Sequence, residues 1–157
     1  MTTPPHLRSA VAAVFVVAAV HVAALILIGL HVDVIRGSVA AAHPGIDAGR
    51  LSELTGTQVL SSVVPHVLLV VLLSWRAWRL RSGRPRTRIV VTILLAVQLL
   101  AHATLPTVLR MLPGYGGWVT GVQAFSLVFE LAALWLLWAP KQVRAYFRRA
   151  ETAAPVR

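Results

Sequence analysis

Four apolar runs, Ala10 to Leu30, Leu54 to Trp75, Ile89 to Leu109 and Trp118 to Trp138, each reach the length at which a helix crosses a bilayer. About 20 consecutive apolar residues span the hydrocarbon core. Inside that core a backbone finds no water to bond, so such a run is confined to a helix. A composition of 57% hydrophobic residues and a mean hydropathy of +0.76 over 157 residues agree with a chain that lives in lipid. The fold class is therefore all-α membrane protein, with transmembrane helices at about 10–31, 54–78, 89–109 and 118–138.

The net charge of +10 raises the question of nucleic acid, but its distribution answers differently. Arg8, then Arg76, Arg79, Arg81, Arg84, Arg86 and Arg88, then Lys141, Arg144, Arg148, Arg149 and Arg157 fall on one side of an alternating four-helix path. The other side carries Arg36, Arg50 and Arg110, offset by Asp33, Asp47 and Glu53. Basic residues gather on the cytoplasmic side of membrane proteins, so both termini are expected in the cytoplasm. Arg79, Arg81, Arg84, Arg86, Arg88, Lys141, Arg144 and Arg148 are then expected to contact anionic lipid headgroups rather than nucleic acid. The absence of cysteine excludes disulfides, thiol catalysis and cysteine-ligated metal centres.

Residues 1–9, with Pro4 and Pro5, read as a cytoplasmic tail, and residues 10–139 as the four-helix domain. The first run is longer than a signal-peptide core, and Ala40 to Ala42 lie well past its end, so it is expected to remain as an anchor. Val32, Ile35 and Val39 recur at helical spacing and predict a short amphipathic extension, which His43-Pro44-Gly45 breaks. Asp47 reads as the N-cap of the second spanning helix. Tight connections at Arg79 to Arg88 and Met111 to Gly117 predict an up-down-up-down bundle. Residues 140–157 form a basic segment in which Val143, Tyr146 and Phe147 oppose Lys141, Arg144 and Arg148, the pattern of a helix lying on the inner membrane surface. Trp75, Trp78, Trp135 and Trp138 mark its inner interface, and Tyr115 and Trp118 the outer one.

Glu130 is the only acid inside any of the four runs, and His21, His66 and His102 lie at similar depth in the other three. At about 1.5 Å rise per residue, all four fall within about 5 Å of the midplane. Gln98 shares a helix face with His102, and Gln123 lies two turns before Glu130. Ionisable groups at this depth face protein or water and mark function, although His, Gln and Glu also bond helices together. One such bland arrangement would pair a protonated Glu130 with His21 or His66. Glu130, His21, His66, His102, Gln98 and Gln123 are accordingly the candidate intramembrane polar or proton site. Two further readings are haem b held by His21 and His66 and a metal held by the three histidines with Glu130, the latter without any local ligand motif. Gly117-x-x-x-Gly121 opens the last run and permits close approach of another helix or seats this one within the bundle.

The outer segment Ala-Ala-Ala-His-Pro-Gly-Ile-Asp (40–47) and the basic turn Trp-Arg-Ala-Trp-Arg-Leu-Arg-Ser-Gly-Arg-Pro-Arg (75–86) resemble those of small four-helix integral membrane proteins of high-GC Gram-positive bacteria. The resemblance covers about half the chain, implies a plasma-membrane location and carries over no catalytic residue. In size and helix number the chain also resembles the small multidrug-resistance transporters, but their acid lies in the first helix, which has none here. No nucleophile–base set or cofactor loop is present, so neither enzymatic activity nor a cofactor is expected. The leading expectation is an accessory subunit of a larger membrane assembly, with other membrane proteins or a second copy as partner. The alternative is a proton-linked small transporter using Glu130.

Overall fold

A computed structural model describes residues 2–104 and 116–152, and all regular structure among them is helical. The helices are α1 (Pro5–Leu30), α2 (Val32–Ala42), α3 (Ala48–Leu80), α4 (Pro85–Thr104), α5 (Gly116–Trp138) and α6 (Lys141–Thr152). Four of them, α1, α3, α4 and α5, are long and apolar enough to cross a membrane.

Helix ends extend past the apolar runs, because hydropathy marks only the part of a helix that suits lipid. α1 begins at Pro5 rather than in the run, with Pro5 in the first turn, where a missing N–H costs nothing. Residues 1–9 are thus not simply a tail, and Leu7 is fully buried. α3, at 33 residues, is about 50 Å long and outreaches a hydrocarbon core of about 30 Å. The Asp47 carboxylate accepts a hydrogen bond from the Arg50 N–H at 2.9 Å and caps α3. The amphipathic extension is α2, which buries Ile35 and ends before Gly45 at φ +83°. Tyr115 and most of the third connection lie outside the described residues, as does the end of the third run.

α1 is the central element, packed against α3 and α5, while α4 touches α3 and α5. Two apolar cores result. The larger, at the basic end, joins Leu7 and Val14 to Leu73, Leu80, Val91, Leu95, Leu137, Val143 and Phe147. The smaller, toward the far end, joins Ile28, Ile35 and Val119. His21, His66, His102 and Glu130 fall in the gap between them.

α6 departs from the expectation of a helix lying on lipid. Its stripe of Val143 and Phe147 is buried in the larger core, and the Tyr146 hydroxyl donates to the Arg81 carbonyl at 2.6 Å. Both a bilayer and a protein satisfy an amphipathic stripe, and here the protein does. Gly83 makes this closure possible. Its φ of +70° suits glycine, and a Cβ there would come within 2.9 Å of Ala150. Arg88 is drawn into the protein as well. It is 9% exposed, with its guanidinium 3.6 Å from the centre of the Trp138 ring, on which it stacks. The Trp138 indole in turn donates to Thr92 Oγ1 at 2.8 Å. Arg79, Arg81, Arg84 and Arg86, with Lys141, Arg144 and Arg148, remain on the surface.

Candidate functional site

Glu130 is fully buried on α5, and three side chains converge on its Oε1. Gln98 Nε2, from α4, donates at 2.7 Å. Ser126 Oγ, one turn earlier on α5, donates at 2.8 Å. His102 Nδ1 lies 3.2 Å away, an ion pair when the imidazole is protonated and the acid is not. The spacing that puts Gln98 and His102 on one face of α4 therefore brings both to one carboxylate oxygen. Glu130 Oε2 has no hydrogen-bond partner among the described residues.

The other two histidines do not bond Glu130, contrary to the pairing entertained for it. They extend the cluster away from the acid. The His21 ring meets His66 edge-on, with centroids 5.0 Å apart and planes at 68°. On its other side it lies nearly parallel to His102, at 6.0 Å and 16°. His66 Nδ1 is 2.7 Å from the Ser62 carbonyl, which orients its ring. In space Glu130, His102, His21 and His66 thus follow one another as neighbouring titratable groups drawn from α5, α4, α1 and α3.

Beside this chain lies a cavity of about 520 Å³. Its floor is His21, His66, His102, Gln123 and Ser126, and its walls are apolar side chains of α1 and α5, including Ala24, Leu27, Val119 and Val122. Trp118 stands at the far end, 77% exposed. His102 and Ser126 belong both to the cavity surface and to the contacts of Glu130.

Ser126 is the participant that the sequence reading passed over. Its signal was available, since it lies four residues before Glu130 and hence on the same helix face. Gln123 lines the cavity. The geometry bears on the two cofactor readings as well. His21 and His66 rings in direct contact leave no room for a macrocycle between them. Among the described residues, no group of three or more metal-ligating side chains is placed to hold an ion. A comparison with protein families, with curated proteins and with solved structures found no match.

Proposed function

We propose that this chain is a small multi-pass plasma-membrane protein whose Glu130–histidine centre exchanges protons with an intramembrane cavity, and that proton-linked transport of a small solute is its activity. One observation carries the reading: His102 and Ser126 contact Glu130 and line the cavity at once. Imidazole exchanges protons near neutral pH, and a carboxyl group isolated from solvent needs such an intermediary.

The test is proton flux. In vesicles holding the purified protein and a pH-sensitive dye inside, an imposed pH gradient is expected to decay faster than in protein-free vesicles. Glu130→Gln is expected to return the decay to the protein-free rate, and an unchanged rate would refute the role given to Glu130.

Orientation completes the proposal. An up-down-up-down order, with both termini cytoplasmic, puts the surface arginines of the 79–86 turn and of α6 against anionic headgroups. Because the chain has no cysteine, single cysteines report on a clean background. Ser82→Cys is expected to react with a membrane-impermeant maleimide only from the cytoplasmic side, and Ala41→Cys only from outside. Labelling of both from the same side would contradict the topology.

A second reading has its own support. Cβ atoms built at Gly117 and Gly121 meet nothing within 4 Å, so no other described element packs closely against these two glycines of α5. An open small-residue face suits association with another helix, as an accessory subunit or a dimer would use. Co-purification of a stoichiometric partner in mild detergent, lost in Gly121→Leu, is the expected result on that reading. A monomer without a partner would count against it.

A further inference from the structure

The floor of the cavity has a definite hydrogen-bond polarity. The Ser62 carbonyl can only accept, so in a neutral His66 the proton sits on Nδ1 and Nε2 carries a lone pair. His102 Nδ1 lies 3.2 Å from Glu130 Oε1 but makes no hydrogen bond of good geometry, so no contact fixes its tautomer, and its neutral ring carries one acceptor in either form. Ser126 spends its hydroxyl proton on Glu130 and keeps its oxygen lone pairs. His21 is 3% exposed, and neither ring nitrogen has a hydrogen-bond partner of good geometry. Its polar neighbour is Gln98, whose Oε1 also lacks one. A His21 proton directed at that oxygen leaves the second ring nitrogen as a further acceptor. Apart from Gln123, whose amide carries donors as well as an acceptor, the floor presents acceptors. Buried acceptors without donors are costly, and a ligand that supplies a donor relieves them.

The walls set the rest of the ligand. Ala24, Leu27, Val119 and Val122 suit hydrocarbon, and the volume lies within the usual range for small-molecule pockets, about 300–1,000 Å³. The acid offers no exposed charge to a cation, because Glu130 is fully buried behind Ser126 and His102. At Trp118 and Val122 the cavity adjoins a shallow groove along Gly117, Gly121 and Phe125, on the outside of α5. That groove gives a route from the lipid.

We infer that the cavity binds an uncharged, largely apolar molecule that carries a hydroxyl group, which reaches it from the bilayer and donates its proton to the histidine floor. The inference shares its cavity with the proton-exchange reading but does not require Glu130 to titrate.

A pair of probes tests it on the wild-type protein in detergent micelles. By titration calorimetry 1-naphthol is expected to bind saturably at one site. 1-Methoxynaphthalene, equally apolar but without the donor, is expected to bind at least tenfold more weakly, a difference of about 1.4 kcal/mol. Ala24→Phe, which fills the cavity and leaves the floor intact, is expected to abolish both. Equal affinity of the two probes, or heats no different from those of empty micelles, would overturn the inference. Because this experiment reads no proton, loss of selectivity with flux intact defeats only this inference, and loss of flux with selectivity intact defeats only the transport reading.

Discussion

Replacing Glu130 with leucine is expected to lower stability by about 2 kcal/mol or more, whereas Glu130→Gln is expected to cost less than about 1 kcal/mol. Leucine leaves Gln98 Nε2 facing hydrocarbon without an acceptor. Each buried, unmet donor costs about 1–3 kcal/mol, while interhelical bonds between polar groups in membranes are worth about 1 kcal/mol. Ser126 escapes most of this loss, because a serine within a helix can turn to the carbonyl four residues earlier. Glutamine behaves differently. Its carbonyl has two lone pairs, enough for Gln98 and Ser126, and its amide takes the place of the unpartnered Oε2. The pair of variants therefore separates two roles. Thermal unfolding in mild detergent reports the structural one, and proton flux reports the chemical one. A Glu130→Gln protein that unfolds like wild type but moves no protons is the expected combination. Equal destabilisation by both variants would mean that the carboxylate does something glutamine cannot imitate structurally.

Phe147→Ala is expected to release α6 from the bundle, at a cost of about 3–5 kcal/mol. Phe147 is 2% exposed and packs in the larger core with Leu7 of α1 and Leu80 of α3, beneath the Arg88 guanidinium at 5.1 Å. Truncation leaves a cavity and removes the larger of the two side chains, Phe147 and Val143, that α6 buries in this core. Local unfolding is the readable consequence, since a protease cuts a helix only where it opens. Trypsin is expected to cleave at Arg144 and Arg148 at least tenfold faster in Phe147→Ala than in wild type. An unchanged rate would mean that the tyrosine bond to the Arg81 carbonyl holds α6 without the aromatic core.

What could be read before folding, and what could not, divides along the helix axis. A rise of about 1.5 Å per residue converts sequence position into depth, so one titratable residue per helix near the midplane was legible. So was the cap at Asp47, because a side chain three residues from its donor acts locally. Rotation about the axis was not legible. Which neighbour Glu130 meets depends on how four cylinders turn against each other, and it meets Gln98 and His102 of α4, not His21 or His66. The same ambiguity hid the stacking of Arg88 on Trp138. It also hid the partner of the α6 stripe. The cavity was beyond reach altogether, being a property of the space between helices.

Infrared difference spectroscopy on the protein in lipid, between acidic and alkaline buffer, observes Glu130 itself. It follows the carbonyl stretch that a carboxylic acid shows and a carboxylate lacks. Proton exchange through the cavity predicts a carboxylic-acid band that disappears as pH rises and is absent from Glu130→Gln. A wild-type spectrum with no band that depends on both pH and Glu130 would contradict it and leave the acid as a bond between α4 and α5.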